Sequence, residues 1–92
     1  MIRNFRHKGL AALYFDDQTK GVQQAHVKRL RQILALLDSA ATPDDINAPG
    51  LRLHPLKGAD SGRWSIWVNE NWRITFEFQD GNAHVLDYED YH

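Results

Sequence analysis

Residues 64–78, WSIWVNENWRITFEF, decide the fold. Trp72, Ile74, Phe76 and Phe78 alternate with Arg73, Thr75 and Glu77, the period of two that marks a half-buried strand. Before them Trp64, Ile66 and Val68 alternate with Ser65 and Trp67, and Asn69-Glu70-Asn71 joins the two runs as a tight turn. Downstream, Asp80-Gly81 between apolar runs predicts a hairpin, because both central residues of such a turn take positive φ. A last strand is then expected over 83–88. Upstream, Leu51 and Leu53 alternate with Arg52 and His54 and predict a first meander strand, followed by the loop-forming run PLKGADSG.

Outward from the meander the period changes. Val27, Leu30, Ile33, Leu34 and Leu37 recur at helical spacing and predict a helix over about 22–39, with His26, Lys28, Arg29, Arg31 and Gln32 on its other face. Leu10, Leu13 and Tyr14 predict a shorter helix over 7–15. Thr42-Pro43-Asp44-Asp45 reads as an N-cap with proline at the first helical position, which predicts a short third helix ending near Asn47. Ile2 to Phe5 is a short strand candidate. The expected architecture is one α+β domain over residues 1–92, with the helices packed on one face of a twisted, mainly antiparallel sheet. The Trp72-Ile74-Phe76-Phe78 face would close the core, leaving Arg73, Thr75 and Glu77 on the opposite, polar face.

Composition narrows the function classes. Three Trp, three Tyr and four Phe in 92 residues are a folding composition. The absence of cysteine excludes a disulfide scaffold, a thiolate zinc site and a cysteine nucleophile. No apolar run is long enough to span a bilayer, and the polar, basic start MIRNFRHKG lacks the apolar stretch of a secretory signal, so a cytoplasmic protein is expected. The formal net charge is −1 but unevenly spread. Residues 1–36 hold seven Lys and Arg against two Asp, a net of +5, while the remainder holds four against ten acids, a net of −6. A basic half of this kind suits a polyanion, although solvated helix faces would give the same pattern.

Candidate chemistry clusters in the second half. His54 and Lys57 bracket the loop after the first meander strand, Arg73 lies on the polar face of the central strand, and the sequence closes Asp87-Tyr88-Glu89-Asp90-Tyr91-His92. Two imidazoles, His54 and His92, form a conceivable acid–base pair, and Lys57 and Arg73 suit a phosphate bearing developing charge. This set matches RNA cleavage by 2′-oxygen attack without a metal or other cofactor. Each residue also has an ordinary reading: a surface histidine, a soluble loop lysine, an arginine paired across the sheet. Trp67, out of phase with Trp64, is a candidate partner contact. His84 and His92 with Asp87, Glu89 or Asp90 are a weak metal grouping, with no i, i+4 His pair behind it.

FRHKGL near the start, LHPLKG at 53–58, the 64–78 run and the ending LDYEDYH resemble the HigB toxins of bacterial toxin–antitoxin pairs, within the RelE/ParE superfamily. The resemblance covers essentially the whole sequence. It implies a compact antiparallel sheet packed against two N-terminal helices, metal-free cleavage of mRNA in the ribosomal A site, and neutralisation by a helix-turn-helix HigA antitoxin. DNA would be met only through that antitoxin, and no membrane is implied. By motif, His54 and Lys57 match an active-site His and a phosphate-facing Lys, Asn71 and Arg73 a base-side Asn and a phosphate-binding Arg, and Asp90, Tyr91 and His92 a catalytic tail. Lys8, Lys28, Arg29 and Arg31 would face ribosomal RNA of the 30S subunit in the 70S particle. The rival on the same fold is a ParE-like, non-enzymatic inhibitor of DNA gyrase, which has no need of acid–base groups.

Overall fold

The computed structural model describes residues 1–69 and 71–90; Glu70, Tyr91 and His92 lie outside the described residues. The first helix, α1, spans Lys8–Asp16. His7 caps it by accepting the Leu10 N–H on Nδ1 at 3.0 Å, and it stops where Asp17 turns left-handed at φ 56°. The second helix, α2, spans Val27–Ser39 and is led in by a 3₁₀ turn over Gln24–His26, so the expected start near Val22 falls in the connection instead. Gly9 of α1 and Gly21 of that connection touch backbone to backbone: a Cβ on Gly9 would lie 2.3 Å from the Gly21 carbonyl oxygen.

The predicted third helix is only a 3₁₀ turn, Pro43–Ile46. The start signals are real, since the Asp45 carboxylate accepts the Thr42 and Ala41 N–H groups at 3.0 and 2.9 Å. Only Ile46 of the four is buried, so a longer helix would bring no further apolar side chain inside, and Pro49 disfavours helix at the residue before it.

The four strands are β1 (His54–Pro55), β2 (Trp64–Asn69), β3 (Trp72–Gln79) and β4 (Asn82–Asp90). They pair antiparallel in the order β1-β2-β3-β4. Asp80 and Gly81 both take positive φ, 51° and 78°, as the hairpin requires. The first meander strand is shorter than the alternation of Leu51 and Leu53 predicts, because Arg52 turns left-handed at φ 50° and breaks the extended run. The Ile2–Phe5 segment is not a full strand. It makes isolated parallel bridges, Ile2 to Ala83 and Phe5 to Leu86, and so covers the outer edge of β4.

Leu10, Leu30, Ile33 and Leu37 from the helices meet Ile66, Ile74, Phe76 and Leu86 from the sheet, all with no exposed surface. Burying each side chain contributes roughly 1.5–3 kcal/mol relative to leaving it in water. Trp72 and Phe78 are half-buried at the margins of this core. β4 carries a bulge: Thr75 faces Asp87 but Glu77 faces His84, which leaves an extra residue on β4. Val85 there takes φ 52°, unusual for a β-branched residue. Asn4 Oδ1 accepts its N–H at 2.6 Å and Arg63 donates to its carbonyl at 2.8 Å, holding the kink in place.

Candidate active site on the polar sheet face

Residues opposite one another in a sheet share a face. The register therefore lines His54, Ser65, Thr75 and Asp87 across the four strands, with Trp67, Arg73 and Glu89 in the neighbouring row. This is the face opposite the helices. It is not plain solvent surface, because Ser65 and Thr75 are 2% and 1% exposed. Arg63, itself buried, lies across it and donates to Thr75 Oγ1 at 2.9 Å, with its other terminal nitrogen 3.3 Å from Glu77 Oε2. Beside that keel opens a cleft of about 210 Å³ lined by Arg52, His54, Ser65, Trp67 and Arg73.

His54 is exposed, and its Nδ1 lies 3.0 Å from the Arg52 carbonyl oxygen. A carbonyl only accepts, so Nδ1 is the donor in this contact, which leaves Nε2 pointing away from that bond. Arg73 is held by Glu89 directly opposite, Nε to Oε1 at 3.1 Å. Arg52 and Arg29 both approach the Trp67 ring, their guanidinium carbons 4.6 and 5.8 Å from its centroid. Two guanidinium groups thus flank one indole, with Arg73 opposite it on β3, on a chain whose net charge is slightly negative.

Of the residues expected to carry chemistry, the structure brings His54 and Arg73 into this cleft. Lys57 is exposed just beyond β1, where the chain enters a 3₁₀ turn over Gly58–Asp60, and does not line it. Asn71 sits half-buried in the β2–β3 turn, its N–H donated to Asn69 Oδ1 at 3.2 Å. Asp90 ends β4 opposite Trp72. Tyr91 and His92, and with them the proposed pairing of His54 with His92, lie outside the described residues. Lys8 and Lys28 are exposed on α1 and α2, and Arg31 is exposed with Asp17 at 2.6 Å. Arg29 departs from that basic face: it turns inward, half-buried, and donates to the Gly50 and Trp67 carbonyls at 2.7 and 3.4 Å.

The sequence reading missed Arg52, Ser65 and Arg63. Arg52 stands two residues before His54, a spacing that was available as a signal. Arg63 gave none, since nothing local marks an arginine that will be buried. His26, read onto the outer face of the long helix, is instead buried at 6% exposure. The Asn69 amide donates to its Nε2, so Nδ1 donates to Tyr88 Oη, which also accepts the Gln23 N–H at 3.3 Å. Burial holds the His26 imidazole below its ordinary pKa and pushes the Tyr88 phenol up. Among the described residues no group of three His, Asp or Glu stands close enough to hold a metal ion, and no helix is long and apolar enough to cross a membrane.

Comparison with known proteins identifies the family. Residues 3–92 match the model of the HigB-like toxin family, described as RelE-like toxins of the type II toxin–antitoxin system HigB. The chain is 47% identical over 92 residues to the endoribonuclease HigB of Proteus vulgaris, with all of both chains covered. It is 33% identical over 85 residues to toxin HigB-1 of Vibrio cholerae serotype O1, with 90% of each chain covered. A family match over nearly the whole sequence, on an α+β fold with a polar cleft on its sheet, shows that the chain belongs to the HigB-like toxins of type II toxin–antitoxin systems, whose members act with an antitoxin partner.

Proposed function

We propose that this chain is an endoribonuclease that cleaves mRNA in the A site of the bacterial ribosome and so arrests translation in the cytoplasm. The observation that carries the reading is the cleft itself: His54 and Arg73 line one small opening of about 210 Å³ together with Arg52. In the proposed reaction a ribose 2′-oxygen attacks the adjacent phosphorus. The O2′–P bond forms and the P–O5′ bond breaks, leaving a 2′,3′-cyclic phosphate and a 5′-hydroxyl. His54 supplies one half of the acid–base work, and Asp90, Tyr91 and His92 of the tail supply the other half and stack on a base. Arg73 and Lys57 meet the charge of the phosphorane, and Asn71 reads a base edge. Similarity to the Proteus vulgaris protein, an endoribonuclease by name, supports this over gyrase inhibition, and so does the acid–base set, which a ParE-like blocker does not require. The antitoxin is proposed to be a HigA-type helix-turn-helix protein, which would be the only route by which this chain meets DNA.

Primer extension on a translated mRNA, with and without programmed 70S ribosomes, tests the proposal. Cuts within the A-site codon are expected. His54→Ala should slow single-turnover cleavage by about 10²–10⁴, the span of general acid–base catalysis. Arg73→Ala and Lys57→Ala should each slow it by about 10²–10³, the cost of one lost donor to a developing oxyanion. A truncation ending at Tyr91 should lose cleavage with its melting temperature intact. Intact mRNA together with inhibited DNA supercoiling would overturn the reading in favour of the gyrase inhibitor.

A further inference from the structure

We propose that Arg52, laid over the Trp67 ring, is a base-stacking platform that positions one nucleobase of the RNA beside the scissile phosphate; this rests on the nuclease reading above. Of the three tryptophans, Trp64 and Trp72 pack against the hydrophobic core, and Trp67 does not. It stands instead on the polar face, opposite Arg73, and lines the cleft. Its backbone is tied on both sides, and its ring lies beside two guanidinium groups. Arg29 donates to its backbone carbonyl at 3.4 Å and places a guanidinium 5.8 Å from the ring centroid. The Trp67 backbone N–H in turn donates to the Leu51 carbonyl at 2.8 Å.

Arg52 completes the arrangement. It is exposed, with its guanidinium carbon 4.6 Å from the ring centroid. Its backbone is left-handed at φ 50°, a conformation an arginine seldom takes and one that recurs where surrounding structure holds a residue for function. From that one conformation its carbonyl meets His54 Nδ1 and its side chain meets Trp67. The same residue therefore links the proposed acid–base group to a planar, cationic surface. A guanidinium plane backed by an aromatic ring is a surface on which nucleobases stack, and such stacking tolerates any base because every base has a π-face. A ligand with phosphates alone would use the charge and leave the plane unused.

The experiment uses the full chain and a single-stranded oligoadenylate, beside an abasic oligonucleotide of equal length and phosphate count. Trp67 emission is isolated as the difference between the wild type and Trp67→Phe. Oligoadenylate should quench that component and the abasic strand should not. Arg52→Lys keeps the charge and the backbone carbonyl but removes the plane. It should weaken oligoadenylate binding about 5- to 150-fold, the equivalent of one base stack, and change abasic binding less than about twofold. Trp67→Leu should behave the same way, with circular dichroism confirming that both variants fold. Unchanged oligoadenylate binding in both variants, or an equal loss for the two strands, would overturn the platform. Binding is read without ribosomes or cleavage, so an intact base effect in a chain that cuts no mRNA would sink the nuclease reading alone, and cleavage with no base effect would sink the platform alone.

Discussion

Residues whose titration differs between folded and unfolded chain make stability depend on pH, and His26 is the clearest case. It faces Tyr88 and Asn69, with the Trp72 ring 5.7 Å away, and burial lowers its pKa below the ordinary value of 6.5. Below that value the unfolded chain takes up a proton that the folded chain resists. The contribution is thus fully present above about pH 6.5 and is lost as pH falls through the lowered folded value. Melting temperatures should decline below about pH 6.5, and His26→Gln, which keeps hydrogen-bonding atoms but cannot titrate, should flatten that decline. An unchanged slope in the variant would assign the acid sensitivity to other groups. This role was not legible in the sequence. Helical spacing placed His26 on an outer face, but the residue precedes α2 in a 3₁₀ turn, and the tighter winding rotates the side chain inward. His54 is the opposite case. Its place beside Arg73 followed from the strand reading, whereas the carbonyl that its Nδ1 donates to depends on the left-handed turn at Arg52, which no local signal announces.

Elements meet at contacts that invert ordinary propensity rules. Alanine is worth about 1 kcal/mol more than glycine inside a helix. Gly9→Ala in α1 should nevertheless destabilise the protein by about 1–3 kcal/mol, as overpacking does. The new Cβ would meet the Gly21 carbonyl 2.3 Å away, backbone that cannot rotate aside. Chemical denaturation of Gly9→Ala beside Ala11→Gly, on the same helix, checks the sign: both should lose stability, the first through a clash and the second through propensity. The sheet has its own linchpin in Arg63. Arg63→Met should cost about 2–4 kcal/mol, because Thr75 Oγ1 and the Val85 carbonyl each lose a charged donor. Glu77, whose side chain is 45% exposed, stays hydrated. A variant that melts like the wild type would show that the bulge at Val85 needs no support from Arg63. Strong periodicity made α2 and β3 legible from sequence. The bulge was not legible, because it is held by the distant residues Asn4 and Arg63; nor were the left-handed turn at Arg52 that shortens β1 and the 3₁₀ turn at Pro43, where only Ile46 is buried.

For the molecule as a whole, charge distribution matters more than net charge. A chain at −1 should bind a polyanion poorly if its charges were mixed, yet here the basic residues concentrate in residues 1–36 and around the Trp67 cleft. The sequence showed the first concentration and missed the second, since Arg29 and Arg52 meet only in three dimensions. The structure also divides the arginines expected to act together. Arg31 is exposed and its pair with Asp17 is exposed on both sides, so that pair is worth less than about 1 kcal/mol. Arg29 is bonded to two carbonyls of the fold. Reversing Lys28 and Arg31 to Glu should therefore weaken association with the 30S subunit while moving stability by about 0.5 kcal/mol at Lys28 and about 1 kcal/mol at Arg31, which loses its pair with Asp17. Arg29→Ala should lower the melting temperature instead. On the proposed function, wild-type association should weaken steeply with salt, the logarithm of affinity falling by about 0.7–0.9 per phosphate neutralised. The double reversal should make that slope shallower by one to two phosphates' worth, because counterions released by Lys28 and Arg31 are no longer released. Sedimentation of the toxin with 30S subunits across a salt series measures both quantities. A slope that the reversal leaves unchanged would place the ribosome-facing surface away from α2, toward Lys8 and its basic neighbours or the cleft arginines.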